Sequence, residues 1–143
     1  MDKNVHTSQQ TRSGGGVTRT RASAKAAGTR FERTTVDYLA AALNDDRIDR
    51  RVKHGPKDRG DVTGLRHAGH RLVIEIKNCA RLDLPGWTAQ AHTEAGNDDA
   101  LAGIVVHKRH GVTDPGRQWV SMTLDDLLAL LTGQRHGHRQ DIA

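Results

Sequence analysis

Asp61, Glu75 and Lys77 are the residues of this sequence whose types and spacing could do chemistry together. Leu72 to Lys77 reads as a strand, in which successive side chains alternate between faces. Leu72, Ile74 and Ile76 then point to one side, and Val73, Glu75 and Lys77 to the other. A carboxylate and an ammonium group thus share a face at the end of a mostly apolar strand. Charges are costly there unless they are paired or bind something. Gly60 to Leu65 is a second strand candidate, joined to the first by the polar turn Arg66 to Arg71. Folding that hairpin brings Asp61 toward Glu75 and Lys77. Two carboxylates and a lysine at one sheet edge can hold a divalent cation and a nucleophilic water. Taken singly, Asp61 would cap a turn and Glu75 with Lys77 would decorate a strand; their joint placement is what suggests a site.

Other residues could join them. Glu32 stands one turn before Val36 on the apolar stripe that also contains Leu39 and Leu43. Alone it would pair with Arg30 or Arg33; beside Asp61 and Glu75 it becomes a third carboxylate. Gln90 and Glu94 fall at i, i+4 on a second helix. Gln90 could bind a water, a lysine or a phosphate, whereas Glu94 is expected to face solvent. His107-Lys108-Arg109-His110 follows a buried strand and suits a phosphate contact or a solvated loop. The nine histidines match no structural zinc spacing, and Gly14-Gly15-Gly16 lacks the Lys-Ser/Thr of a phosphate loop.

The elements that must position these groups are legible at low resolution. Periodicity predicts a helix over Arg30 to Leu43, capped by Thr29, then a polar edge strand over Ile48 to His54 and the hairpin. Asp83 or Leu84-Pro85 opens a second helix reaching toward Leu101, which Gly96-Asn97 weakens or bends. Strands follow at Gly103 to His107 and Arg117 to Met122. Thr123 caps a final helix, with Asp125 and Asp126 in its first turn and Leu124, Leu127, Leu128 and Leu131 as an apolar stripe. The order α-β-β-β-α-β-β-α predicts an α/β (α+β) domain, a mixed sheet flanked by helices.

The 143 residues suffice for one domain with tails. Residues 1–27, rich in Ser, Thr, Gly and Arg, read as a disordered basic arm; 28–132 as the domain; 133–143 as a flexible tail. Much of the net charge of +5 is carried by the ends, where Lys3, Arg12, Arg19, Arg21 and Lys25 face only Asp2. Such an arm suits a polyanion or serves solubility. Within the domain, Arg51, Lys53, Lys57 and Arg59 cluster ahead of Asp61, and Lys108 and Arg109 form a second basic group. The single cysteine, Cys79, excludes an intrachain disulfide and favours a reducing compartment. No stretch is apolar enough to span a membrane or to form a signal peptide, so a cytoplasmic protein is expected. The Ala-, Gly- and Arg-rich composition suggests a GC-rich genome, with a phage as one source; the compartment would then be the host cytoplasm.

Glu32 on a helix, Asp61, then Glu75-Ile76-Lys77 on the next strand, followed by a helix and a hydrophobic strand, resembles the PD-(D/E)xK nuclease superfamily. Within it the likeness is to small archaeal-type Holliday-junction resolvases and their phage relatives. The resemblance spans about Gly28 to Lys108, with Gly60 where a proline often precedes the aspartate. It implies a restriction-endonuclease-like sheet, with Mg²⁺ or Mn²⁺ held by Asp61, Glu75 and the Ile76 carbonyl. Glu32 would support the metal cluster and Lys77 would position or activate the attacking water. The implied reaction is phosphodiester hydrolysis by in-line attack, leaving 5′-phosphate and 3′-hydroxyl ends. The implied assembly is a homodimer nicking a four-way junction symmetrically, with Arg51, Lys53, Lys57, Arg59, Lys108, Arg109 and the N-terminal arm contacting the DNA backbone. Val106, Trp119 and the leucine-rich last helix are candidate dimer surfaces. The alternatives are another nuclease of the superfamily, restriction-like or acting in repair and replication, and a basic DNA-binding protein without catalysis.

Overall fold

The computed structural model describes residues 20–53 and 55–137. Three helices enclose a four-stranded mixed sheet and a two-stranded ribbon. Helix α1 (Arg21–Leu43) is followed by β1 (Asp49–Arg50), β2 (Val62–Thr63), β3 (Arg66–His67) and β4 (His70–Lys77). Helix α2 (Leu84–Asn97), β5 (Ala102–His107), β6 (Trp119–Ser121) and α3 (Leu124–Thr132) follow among the described residues. The main sheet runs β3-β4-β5-β6. Strands β4 and β5 are parallel, with α2 as their crossover, and the outer pairs are antiparallel. Strand β1 pairs antiparallel with β2.

Helix α1 starts nine residues ahead of the expected first turn, inside the segment read as a disordered arm. Thr20, not Thr29, is its cap, accepting from the Ser23 N–H at 3.1 Å. The reason is alanine: Ala22, Ala24, Ala26 and Ala27 favour helix without supplying an apolar stripe. The rest of the expected arm, and the tail beyond Gly137, lie outside the described residues. The edge strand expected over Ile48 to His54 shrinks to two residues, and His54 is outside the described residues. The single strand expected at Gly60–Leu65 is divided. Val62–Thr63 pairs with β1, while Arg66–His67 pairs with β4 across the two-residue turn Ala68-Gly69, whose φ angles are 51° and 78°. Positive φ at both positions gives the turn the twist of its strands.

Both faces of β4 and β5 are covered. Ile74, Ile76, Ile104 and Val106 pack in the principal core with Phe31 and Val36 of α1 and Ala129 of α3. On the other face Val105 packs with Trp87 and Ala91 of α2. The crossover helix lies close because β5 offers Gly103: a Cβ there would sit 2.6 Å from the Ala91 carbonyl oxygen. Helix α2 ends at Asn97 rather than near Leu101, and Leu101 itself is buried in the core.

Helix α3 departs from its pattern. Its buried residues are Asp126 and Ala129, whereas Leu124, Leu127, Leu128 and Leu131 are exposed. Beyond the end of β6, the Gly103 N–H is met by the Asp126 carboxylate at 3.3 Å. His92 of α2 and the Thr123 hydroxyl hold the other Asp126 oxygen at 2.7 and 2.8 Å. This polar pin fixes the helix to the sheet and leaves its leucines outward.

Candidate functional site

Asp61 enters β2 just after Gly60, whose φ of 89° is closed to proline, the residue often found at this position in the resembled superfamily. The backbone N–H of Asp61 donates to the Ile74 carbonyl at 2.8 Å, and its side-chain Oδ2 accepts from the Ile76 N–H at 2.7 Å. Alternation along β4 puts the Ile76 carbonyl on this same edge. These two bonds, made just ahead of β2, pin a buried carboxylate against the strand that carries Glu75 and Lys77.

Glu75 is 2 % exposed, beneath α2. Its Oε2 lies 3.4 Å from Lys77 Nζ, and Lys77 donates to Gln90 Oε1 at 2.6 Å. Gln90 Nε2 continues to Glu94 Oε1 at 3.2 Å. Glu94, expected in solvent, is buried instead. It belongs to the face of α2 that includes Trp87, Ala91 and Ala95, and it meets Glu75. Its spacing from those residues was the available signal: seven places after a tryptophan and three after an alanine that pack on the sheet. Ionised carboxylates only accept, and Glu94 Oε2 is buried with no donor. A proton or a cation is needed between the pair.

The electrostatics agree. Burial, followed by the hydrogen bond with Glu94 and the charge of Asp61, raises the Glu75 carboxyl to about 9, with Lys77 opposing. Burial raises Asp61 too, against the Ile76 N–H and Lys53; Glu32 and Glu94 add to the rise. The site is short of positive charge.

Glu32 lies at its outer side. Its Oε2 accepts from Arg50 at 2.9 and 3.2 Å, so its partner is Arg50 rather than Arg30 or Arg33. Lys53 Nζ sits 3.6 Å from Asp61 and 4.0 Å from Glu32, bridging the two acids. The charge of Asp61, then that of Glu32, raises the Lys53 ammonium. Among the described residues no three His, Cys, Asp or Glu side chains are gathered as a metal-holding group. Lys53 stands between the two acids that would have to converge. The donor set still suits a hard cation: it is all oxygen, it carries excess negative charge, and the adjoining Glu94 has an orphaned buried oxygen.

The expected DNA-contacting residues separate into groups. Arg51 is turned inward, 3.5 Å from buried Asp98, and Arg59 lies 3.9 Å from the same carboxylate. Lys53 serves the acids as described, while Lys57 is exposed. Lys108 bonds to the Val112 carbonyl and stands 5.9 Å from the Phe31 ring centroid. Arg109 lies 4.5 Å from the centroid of Trp119. Lys57 therefore stays available to a phosphate, whereas Arg51 is committed to the fold. No helix among the described residues is long and apolar enough to cross a membrane. Comparison with family models, curated proteins and solved structures returned no match to this chain.

Proposed function

We propose that this chain is a metal-dependent, structure-selective DNA endonuclease of the PD-(D/E)xK kind that resolves four-way junctions by paired nicks. The observation that carries the reading is the convergence of Asp61, Glu75 and Lys77 on one edge of the sheet, backed by Gln90 and Glu94. A protein that only bound DNA would gain nothing from buried carboxylates at this place, because they repel phosphate. Asp61, Glu75, the Ile76 carbonyl and, at the rim, Glu32 would hold Mg²⁺ or Mn²⁺. When bound, such an ion supplies Lewis acidity and makes a water nucleophilic near neutral pH.

The chain's own groups have separate tasks. Lys77, held between Glu75 and Gln90, orients the attacking water and donates to the charge that develops on the phosphate. Glu94 fixes Gln90 and so the lysine. Lys53, with a mostly exposed side chain, can leave the acids and meet the DNA backbone. One chain holds one such centre. Two opposed nicks need two chains, and a two-fold homodimer supplies them. Val106 is buried and is excluded as the contact surface, while the exposed leucines of α3 fit one.

A fixed four-way junction incubated with protein, with and without Mg²⁺ or Mn²⁺, tests this when both strands are mapped. Symmetric nicks that require the ion are expected. Asp61→Asn and Glu75→Gln should bind the junction without cutting it. Equal cutting of linear duplex, flap or fork would replace the resolvase reading with a broader nuclease. Binding with no ion-dependent cutting on any substrate would leave a basic DNA-binding protein.

A further inference from the structure

Beyond Lys77 the sheet opens into a cleft of about 370 Å³. Its walls include Lys77, Trp87, His107, Lys108, His110 and Trp119, and among the described residues no acid lines it. Trp87 and His107 form a tilted aromatic pair, with centroids 5.6 Å apart and planes at 48°. Across from them, on the edge strand, Trp119 is half-exposed, and Arg109 lies against its ring. Leu82 and Val120 add exposed apolar surface at the mouth. Aromatic walls, a basic rim and the lack of any carboxylate describe a planar anionic ligand.

We propose that this cleft receives one unpaired nucleotide of the DNA strand, its base against the exposed ring of Trp119, with buried Trp87 in the wall behind, and its phosphate toward Lys108 and His110. This rests on the endonuclease reading, because Lys77 belongs to both the cleft and the candidate hydrolytic centre. A base inside a duplex has both faces stacked and cannot enter; a base at a branch point or in a single strand can. The cleft would therefore favour nucleotides beside a discontinuity and place the neighbouring phosphate at Lys77. Selection of branched DNA would then come partly from an unstacked base, not only from the path of the backbone.

The chain has two tryptophans, Trp87 and Trp119, and both line the cleft. Their fluorescence therefore reports on it directly. The full chain, in chelator and at fixed low salt, is titrated with a short oligothymidylate, the same oligonucleotide with abasic central positions, and a blunt duplex. Saturable quenching by the oligothymidylate is expected, with little from the other two. Trp119→Leu should weaken the oligothymidylate about tenfold, and Trp119→Phe should restore most of the affinity. Equal binding of the abasic strand or the duplex overturns the proposal in favour of phosphate contacts alone. An absence of quenching overturns it as well. So does a dimer in sedimentation that Trp119→Leu converts to monomer, since a second copy would then cover the cleft. No cleavage is needed for this readout, so an inactive junction assay with intact quenching would sink the nuclease reading and leave a nucleotide site.

Discussion

Helix α2 carries two buried acids one turn apart, Glu94 and its capping residue Asp98, and the chain treats them in opposite ways. Asp98 is surrounded by Arg51, Arg59 and Arg71 at 3.5, 3.9 and 3.5 Å. Its charge is answered in excess by groups from the β1–β2 loop and from β4. Glu94 instead faces Glu75, near Asp61, with Lys77 and Gln90 as the nearby polar groups. Asp98 Oδ2, like Glu94 Oε2, accepts no hydrogen bond, but the ring of arginines balances its charge. A group of buried carboxylates with too few cations is stable only with a proton or a ligand. The difference separates an acid whose charge is neutralised within the fold from acids left short of countercharge.

The largest expected effect falls on the acid-rich side. Asp61→Asn should bring ion-dependent nicking to background while junction binding in an electrophoretic shift persists. Lys77→Ala should slow single-turnover cleavage about a hundredfold, in line with removal of one electrostatic stabiliser, with affinity little changed. If either variant cuts like the parent, the two centres are not functionally different. At the neutralised acid, Asp98→Ala should cost on the order of 3 kcal/mol in urea unfolding, since it strands arginine charge in a partly buried place. That figure sits at the low end because Arg59 and Arg71 are half-exposed. The activity of the folded fraction should survive. Gly103→Ala offers a neutral control that touches neither acid directly. Its methyl would press on the Ala91 backbone, and a loss of about 2 kcal/mol is expected.

The remaining effect is on the pH dependence of stability. The folded Glu75 carboxyl is raised to about 9 from a usual value of 4.5, mainly by burial. Between those values the folded state holds a proton that the unfolded chain has lost. Metal-free stability from this group therefore falls as pH rises across that window and levels off above it. Glu75→Gln should be more stable than the parent near neutral pH and should flatten the decline, as read by thermal melts in chelator. An unchanged slope would mean that Glu75 is already balanced by charge, as Asp98 is. Adding Mn²⁺ should raise the parent's melting temperature and leave the variant's unmoved.

Much of the site was legible because it depends on short-range geometry. Alternation alone puts Glu75 and Lys77 on one face; the chain reversal at Ala68-Gly69 turns Asp61 back toward the same strand, although β2 itself pairs with β1. The position of Glu32 on the stripe of α1 also placed it near the rim. The inward turn of Arg51 was not legible, since its partner Asp98 lies at the far end of α2 and only packing joins them. Nor was the reversal in α3, where a leucine stripe promised a buried face and a polar pin through Asp126 turned it outward. The alanine-rich start of α1 was misread because helix propensity without amphipathic pattern looks like a linker.

By itself the chain's order of residues determined which groups alternate, where helices are capped, and which acids and lysine share an edge. Each of those follows from backbone geometry over a few residues. Tertiary structure decided which acids stay short of countercharge, which arginines are consumed by the fold, and that two distant tryptophans line one basic cleft. Those outcomes depend on burial and on side chains arriving from remote segments, and the cost of leaving a charge unpaired is set only once solvent has been excluded.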